Sequence, residues 1–457
     1  MNGGSLWGEE FVVVAPPKQQ QKKVIEKATK PKKVTVTTEK ASKISSKTVS
    51  LSDRLQLIRA EVYRILGTYA KETVVIKTRE ELAKYIDAAI INNVCAVDTE
   101  TNNSLVPLTC DIMGLCLYTP GQKNAYIPVN HVDPVTSVKL PNQVTEDDIR
   151  AELERLKLAQ AKLIFHNGKF DFEVLKCTCG VELDIFWDTL IGARILDENE
   201  RANLKQQYIN KIDPSIEKYS IEGLFEGIEY KYVEPELFAL YAATDAFMTY
   251  KLYLWQKRMF EAPGNEKMYK LFREIEMPIV RVCADMELAG IEIDQEYGTR
   301  LSGKYHKKVE AVDKQIEAAL HEYDKVIAEW RLTSDANYKA MKVNKKGEET
   351  YAKSKSEQLS DPVQVTSPTQ LAILFYDVLK CPVIDKKSPR GTGEEILQKI
   401  NLPICKLILE KRGLEKIIGT YVDKLPECVL PQTGRLHAHF NQIGADTGRF
   451  SSSDPNL

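Results

Sequence analysis

Two acidic side chains end the short apolar stretch Val94–Glu100, which reads Val-Cys-Ala-Val-Asp-Thr-Glu. Its first four residues are apolar and two of them are β-branched, as is typical of a buried β-strand. Side chains two apart in a strand share a face, so Asp98 and Glu100 should project together. Neighbouring carboxylates repel each other unless a cation lies between them, and Mg²⁺ prefers oxygen ligands of this kind. The pair predicts a metal site, but Asp-x-Glu is common by chance and needs further ligands.

Two later stretches supply candidate ligands. After the predicted strand Lys162–Phe165 comes His-Asn-Gly-Lys-Phe-Asp, in which Asn167 and Asp171 are four residues apart. In Tyr-Ala-Ala-Thr-Asp the same spacing separates Tyr241 from Asp245 on a predicted late helix. Residues four apart lie on one helix face. The three motifs therefore offer four carboxylates and one phenol, in order, within a single predicted domain.

The elements that would position these residues alternate between strands and helices. Strands are predicted over Thr73–Lys77, Val94–Glu100, Ile112–Tyr118, Asn124–Pro128 and Lys162–Phe165. Helices are predicted over Arg79–Ala89, Asp147–Gln160, Gly168–Lys176 and Asp188–Leu196, after a first helical pattern that begins near Ser52. This alternation favours an α/β domain with a mixed central sheet.

The pattern changes near Met268 to long amphipathic helices. Helices are predicted over Met268–Ala289, Glu296–Glu329, Pro368–Leu379, Gly393–Ile400 and Pro403–Thr420, followed by a strand over Arg435–Ile443. The polar, lysine-rich segment Leu332–Asp361 is predicted to be an exposed insertion.

Composition restricts the class of protein. The chain has 457 residues, enough for two or three domains, and 43% of them are hydrophobic. No apolar run is long enough to span a bilayer, so no membrane partner is expected. The nine cysteines include no pair of zinc-ligand motifs and are interpreted as reduced. His437 and His439 could chelate a metal, but a pair on the surface of a strand is the simpler interpretation.

The first 51 residues form a predicted basic tail. Ten lysines and only two acids lie between Lys18 and Lys47, among Gln, Thr, Ser and Pro. Such a segment cannot bury enough apolar surface to fold. It could attract a polyanion or serve only as a solubilising linker.

Taken together, Asp98-Thr-Glu-Thr, His-Asn167 and Tyr241-Ala-Ala-Thr-Asp-Ala resemble the 3′–5′ exonuclease domain of family A (DNA polymerase I-like) DNA polymerases. That domain belongs to the DEDD nuclease superfamily, here with tyrosine in the third motif. The resemblance implies a ribonuclease H-like domain over residues 52–260. It implies proofreading of DNA, in replication or repair, by removal of nucleotides from a 3′ end.

The resemblance also assigns roles to single residues. Asp98, Glu100, Asp171 and Asp245 would bind two Mg²⁺ (or Mn²⁺) ions, and Tyr241 would orient the attacking water. Around the single-stranded 3′ end, Asn167 would help to hold the strand. Phe170, where many relatives have tyrosine, and Leu105 would wedge against the terminal bases.

Residues 261–457 resemble the start of the family A polymerase domain, a mainly α-helical thumb region followed by the first palm strands. Arg412 and Lys416 would then grip the phosphates of a primer–template duplex, and Arg449 would contact its minor groove. The remaining palm and the fingers are missing from this sequence. We therefore expect either a truncated chain or a split polymerase whose second polypeptide carries palm and fingers, in the cytoplasm of a bacterial or phage-infected cell.

Two alternatives stay open at this stage. One is a stand-alone DEDD exonuclease of the RNase D type that acts on RNA, although the second half does not resemble helical RNA-binding modules. The other is a non-catalytic DNA-binding assembly subunit, although a decayed site would tolerate the loss of a metal ligand and all four acids are present.

Overall fold

The computed structural model describes residues 51–457, except 103, 105, 215–224, 226, 335–340, 344–348, 352–353 and 446, and gives only the backbone of 341–343 and 349–351. The predicted basic tail lies, apart from Leu51, outside the described residues. So does Leu105, one of the two predicted wedge residues.

A six-stranded mixed sheet forms the centre of the first half. Its strands are β1 (Thr73–Val75), β2 (Val94–Thr101), β3 (Ile112–Tyr118), β4 (Asn124–Pro128), β5 (Lys162–Phe165) and β6 (Trp187–Asp188). Their order in the sheet is β1-β4-β3-β2-β5-β6. The β2–β3 and β3–β4 pairs are antiparallel and the other three pairs are parallel. The predicted α/β class with a mixed sheet is confirmed, and only the two-residue strand β6 was not predicted.

Seven helices accompany this sheet among the described residues. They are α1 (Leu51–Leu66), α2 (Arg79–Asn92), α3 (Glu146–Leu158), α4 (Gly168–Thr178), α5 (Thr189–Leu196), α6 (Leu204–Lys211) and α7 (Pro235–Phe260). Threonine side chains begin two of them, because Thr78 and Thr145 each form a capping box with the acid three residues later. Helix α7 starts with Pro235, whose missing N–H would have had no partner there.

Two apolar cores lie on opposite faces of the sheet. Side chains of α1, α5 and α7 form one core with Ala96 and Cys116. Side chains of α2, α3 and α4 form the other core with Cys95 and Val97. Because side chains alternate along a strand, Asp98 and Glu100 share the face of Ala96, on the side of α7. The alternation of β2 thus points both carboxylates toward the helix that carries the third motif.

The second half is mainly helical, as predicted. Its helices are α8 (Glu266–Leu271), α9 (Met277–Ala289), α10 (Gln295–His321), α11 (Asp324–Ser334), α12 (Lys355–Gln358), α13 (Pro368–Ala372), α14 (Glu394–Ile400), α15 (Pro403–Ile417) and α16 (Lys424–Glu427). Three segments with π-helical hydrogen bonding, Phe272–Glu276, Ile373–Val378 and Ile418–Val422, interrupt or extend helices that were predicted to be continuous. Short strands complete this half: β7 (Met341–Val343), β8 (Glu349–Tyr351), β9 (Val429–Leu430), β10 (Arg435–Leu436), β11 (His439–Asn441) and β12 (Ser451–Ser453).

The predicted exposed insertion, Leu332–Asp361, is wrong at its C-terminal end. Leu359 is 2% exposed and packs into the core formed by α10, α11 and α15. Ser354 is also buried, and its hydroxyl accepts the backbone N–H of Glu357 as a helix cap. The polar composition of the segment gave no indication that Leu359 is buried, because a single apolar residue is enough to fill a gap in the core.

A buried ion pair joins the two halves. Lys169 on α4 and Glu287 on α9 form a salt bridge, and each side chain is 9% exposed. The Lys169 ammonium also donates to the carbonyl of Phe440 at 2.6 Å, and the Glu287 carboxylate accepts the backbone N–H of Phe440 at 2.5 Å. Burial and the nearby Glu287 raise the pKa of Glu173, one turn along α4, to about 9.

Apolar packing also continues across the boundary that was predicted between residues 260 and 261. Phe272, from the second half, packs into the core of the first half.

We expect Lys169→Met to destabilise the protein strongly. Methionine keeps the length of the side chain but leaves the Glu287 carboxylate buried without its cation, which costs about 3–5 kcal/mol. Chemical denaturation would measure the change in the free energy of unfolding. Lys270→Met is the matched control, because Lys270 pairs with Glu274 on the surface and its loss should cost less than about 1 kcal/mol. Equal effects of the two substitutions would contradict this account of the junction.

Candidate active site

The end of β2 brings the first two acids against a cysteine. Asp98 lies directly across from Cys116 in the antiparallel β2–β3 pair. Ligand atoms of Asp98, Glu100 and Cys116 all lie within 4.8 Å of one another. Gly114 is the cross-strand partner of Glu100, and a Cβ there would lie 2.3 Å from the hydroxyl of Tyr126. Glycine therefore lets the Tyr126 ring pack beneath this end of the sheet.

Asp171 reaches the same strand end from the other helical layer. Its Oδ1 atom accepts the backbone N–H of Thr99 at 2.8 Å and the Thr99 hydroxyl at 2.7 Å. Thr99 lies between the two acids of β2, so these bonds fix the second motif to the first. Asp171 is 3% exposed. These hydrogen bonds place the Asp171 carboxylate next to the middle residue of the Asp-x-Glu stretch.

The start of α4 is held by a buried carboxylate that the sequence analysis did not single out as a site residue. Asp188 accepts the backbone N–H groups of Asn167 at 3.0 Å and Gly168 at 2.8 Å, and it also caps α5 through the N–H of Leu190. Asn167 has φ 66°, a left-handed conformation that asparagine tolerates better than most residues. Asp188 thus fixes the turn on which Asn167 is presented.

Helix α7 contributes the phenol and the last acid. Tyr241 and Asp245 lie one turn apart on it, and Tyr241 is 8% exposed. The Tyr241 ring packs against Phe225 and Phe238, with centroid distances of 6.0 and 5.9 Å. This aromatic packing leaves the phenol ring little freedom to turn.

A lysine completes the cluster. Lys205 on α6 has its Nζ 3.5 Å from Oδ2 of Asp245 and 4.1 Å from the centroid of the Tyr241 ring. No sequence motif pointed to it. Its position in the first turn of a helix is unusual, because a cation there interacts unfavourably with the positive end of the helix dipole.

Two acids of the cluster, Asp98 and Asp171, have raised pKa values. Withdrawal from water, and then repulsion by Asp171, Glu100 and Asp245, raise the pKa of Asp98 well above its usual range, while Lys205 lowers it. Burial raises the pKa of Asp171 to about 7, against the opposing effect of its hydrogen bonds from Thr99. Burial and the same carboxylates raise the pKa of the Cys116 thiol. A cation bound among these groups would favour their ionised forms and would oppose this rise in pKa.

The donor set fits a divalent cation. Carboxylate oxygens are the ligands that Mg²⁺ and Mn²⁺ prefer, and three carboxylates lie close enough to Asp98 to raise its pKa. Ligand atoms of Asp98 and Glu100 lie within 4.8 Å of each other, so these two carboxylates could hold one ion between them. Asp171 and Asp245 act on Asp98 from α4 and α7 and would add negative charge around such an ion.

The other predicted contact residues lie in different settings. Phe170 is half-buried against the core of α2, α3 and α4. The Arg412 guanidinium donates to the carbonyl of Thr392 at 2.6 Å, so part of its donor capacity holds a loop. Lys416 and Arg449 are exposed. Their predicted DNA contacts stay predictions.

The two histidines considered as a chelating pair have other roles. His437 Nδ1 lies 2.6 Å from the carbonyl oxygen of Glu287, and its Nε2 lies 2.8 Å from the hydroxyl of Thr433. His439 Nδ1 lies 3.3 Å from the Glu287 carboxylate. Both rings belong to the junction between the halves.

Comparison with protein families finds two matches. A family described as 3′–5′ exonuclease matches residues 73–258, and DNA polymerase family A matches residues 335–457. The chain is thus similar to family A DNA polymerases in both halves. The resemblance drawn from the three motifs and the helical second half is confirmed. All four acids and Tyr241 lie within the region matched as exonuclease.

Curated proteins similar to this chain include bacterial DNA polymerases I. It is 30% identical to DNA polymerase I of Chloroflexus aurantiacus over 370 residues, covering 79% of this chain and 34% of the relative. It is 31% identical to DNA polymerase I of Synechocystis over 395 residues (83% and 34%) and 27% identical to that of Pseudomonas aeruginosa over 376 residues (79% and 36%). The chain thus spans about one third of the length of these relatives.

A solved structure shares the fold. The structure of the POL domain of Pol1 from M. smegmatis, in complex with DNA primer-template and dNTP, matches with a TM-score of 0.59 and 19% identity, over 84% of this chain and 55% of that one. None of these matches supports a second polypeptide as a partner. Among the described residues, no helix is both long enough and apolar enough to cross a bilayer.

The raised pKa of Asp171 predicts a pH-dependent stability of the metal-free protein. Its carboxyl ionises near 3.8 when unfolded but at about 7 when folded, so this contribution to stability is complete below about pH 4 and is lost as the pH rises to about 7. Asp171→Asn removes the ionisation and keeps an oxygen for Thr99. In EDTA, the difference between the Tm of Asp171→Asn and that of the wild type should increase as the pH rises from about 4 to about 7.

The exposed Asp184 supplies the control for this measurement, since Asp184→Asn alters a carboxylate outside the cluster. Its Tm difference from the wild type should stay flat over the same pH range. A flat difference for Asp171→Asn as well would show that the Asp171 carboxyl is not held in its neutral form.

Proposed function

We propose that this chain is the proofreading part of a DNA polymerase I-type enzyme and removes nucleotides from a 3′ end of DNA by metal-dependent hydrolysis. The observation that carries the proposal is the convergence of Asp98, Glu100, Asp171 and Asp245 at the end of β2, with Tyr241 beside them. The family match over residues 73–258 supports it.

Each residue has a separate task in the proposed reaction. Asn167, on its left-handed turn, and Phe170 hold the last nucleotides of the single strand, with Leu105 as the proposed second wedge. Tyr241 orients a water molecule in line with the scissile P–O3′ bond. The water oxygen bonds to phosphorus, the bond to the 3′ oxygen breaks, and that oxygen takes up a proton, so a nucleoside 5′-monophosphate leaves.

Two Mg²⁺ (or Mn²⁺) ions, when bound, would favour ionisation of the water and stabilise charge on the leaving oxygen. Asp98, Glu100 and Asp245 would hold one ion, and Asp98 with Asp171 would hold the other. The residues need no separate general base, because Tyr241 serves only to position the water. A phenol whose ring packs against two other aromatic rings is suited to that task.

The second half supports a further role in gripping duplex DNA. Lys416 and Arg449 are exposed, which suits contact with phosphates and with the minor groove. Arg412 would contribute less, since it also holds Thr392. Polymerisation is proposed only for an assembly that also includes palm and fingers, whichever polypeptide carries them. The bacterial relatives support a cytoplasmic setting in a bacterial or phage-infected cell.

Tyr241→Phe tests the proposed task of the phenol. Loss of the hydroxyl should lower the rate of 3′ nucleotide release from single-stranded DNA by on the order of 10²-fold, because the water loses its orientation. Affinity for Mn²⁺ should stay unchanged, since the phenol is not a ligand. Tyr250→Phe, on the same helix and packed against Tyr118, should leave both quantities unchanged.

The same assay, run on RNA of identical sequence, distinguishes a DNA exonuclease from an RNase D type exonuclease. Faster release from DNA than from RNA is expected. Faster release from RNA would favour an exonuclease of the RNase D type, and an unchanged rate for Tyr241→Phe would remove the phenol from the mechanism.

A further inference from the structure

Lys205 contacts the acid cluster at the point where a metal ion is proposed to bind. Its Nζ atom lies 3.5 Å from Oδ2 of Asp245, and the side chains of Lys205 and Asp245 are 32% and 17% exposed. Its charge also acts on Asp98, whose pKa it lowers. The ammonium thus lies beside an acid of α7, and its charge also lowers the pKa of an acid of β2.

The Tyr241 ring contacts the Lys205 ammonium and helps to hold it in this position. The Nζ atom lies 4.1 Å from the ring centroid, within the range of a cation–π interaction. The same ring belongs to the residue proposed to orient water. The ammonium is therefore held over the water-orienting residue as well as against a proposed metal ligand.

Helix stability does not explain a cation at this position. Lys205 is the second residue of α6, after the cap Asn203, whose side chain accepts the N–H of Gln206. Cations in the first turn of a helix are disfavoured by the helix dipole. On this helix, Leu204 and Tyr208 supply buried packing, while Lys205 faces the acids.

We propose that Lys205 is a resident counter-ion, which neutralises the acid cluster while no divalent cation is bound and leaves Asp245 when a divalent cation binds there. The ammonium and a metal ion cannot share the same carboxylate oxygen closely, because their charges repel each other. The flexible four-carbon stem of lysine allows the ammonium to withdraw. The proposal rests on the proposed function, since it requires the cluster to be a metal site.

Competition between the Lys205 ammonium and a metal ion predicts how removal of the ammonium changes the affinity for the metal. If the ammonium competes with the metal, its removal should strengthen metal binding. If Lys205 merely supported the local structure, its removal would loosen Tyr241 and Asp245 and weaken metal binding. If it bound only the phosphates of the substrate, metal affinity in the absence of DNA would not change.

Three variants of the full chain make the test. Lys205→Met removes the charge at nearly constant length, and Lys205→Arg keeps the charge. Lys211→Met is the matched control: Lys211 lies on the same helix, pairs with Glu200 at 2.7 Å and has its Nζ 5.5 Å from the centroid of the Trp255 ring, with 26% exposure. It therefore removes an equivalent ion pair and ring contact outside the cluster.

Isothermal titration with Mn²⁺, without DNA, should show about tenfold tighter binding to Lys205→Met than to the wild type. Lys205→Arg and Lys211→Met should bind Mn²⁺ like the wild type. Thermal unfolding supplies a second measurement, because a ligand that binds only the folded state raises Tm. At a fixed subsaturating concentration, Mn²⁺ should raise the Tm of Lys205→Met more than that of the other three proteins.

Unchanged or weaker Mn²⁺ binding by Lys205→Met would overturn the proposal, even if the wild type is an active exonuclease. Tighter binding by Lys211→Met to the same extent would also overturn it, since the effect would then reflect net charge alone. Failure of the proposed function looks different: the wild type itself would bind no Mn²⁺ and release no nucleotides.

Discussion

Repulsion among four carboxylates at the end of β2 is the constraint on which the site depends. Asp98 and Glu100 share one face of the strand, Asp171 is fixed to Thr99 between them, and Asp245 approaches from α7. Burial and repulsion by the neighbouring carboxylates raise the pKa of Asp98, and burial raises the pKa of Asp171, so holding these groups together away from water costs free energy. A folded domain keeps such an arrangement only where surrounding packing holds it in place.

The scaffold holds the acids from several directions at once. Antiparallel pairing with β3 sets the position of Asp98 opposite Cys116, and two hydrogen bonds from Thr99 hold Asp171. Asp188 fixes the turn before α4, and Lys169 on the same helix is tied to Glu287 in the second half. The helix that carries the second motif is therefore anchored both within the sheet domain and across the junction. This arrangement makes the second half part of the support for the acid cluster.

Much of the fold followed from the sequence because its signals are local. Strands β3, β4 and β5 have the bounds predicted, since each is a short apolar run between turn residues. The acids of β2 were found because a period of two places them on one face. The π-helical segments and the burial of Leu359 were not predictable in this way, because they depend on how distant elements pack.

The same distinction explains the missed site residues. Cys116 lies beside Asp98 only through the register of β2 and β3, which no local pattern reveals. Lys205 meets Asp245 because α6 packs on α7, and only its position in a first helical turn was unusual. Family resemblance could assign the acids and the tyrosine, but it gave no sign of a cation among them.

Asp98→Ala gives the most direct test that the carboxylate cluster is a hydrolytic metal site. Release of nucleotides from the 3′ end of single-stranded DNA in Mg²⁺ should be abolished, while the Tm in EDTA should not fall, because one source of repulsion is gone. Asp87→Ala is the control, since Asp87 pairs with Arg155 on the surface and should be dispensable for activity. Mg²⁺-dependent release retained by Asp98→Ala would contradict the assignment of the active site.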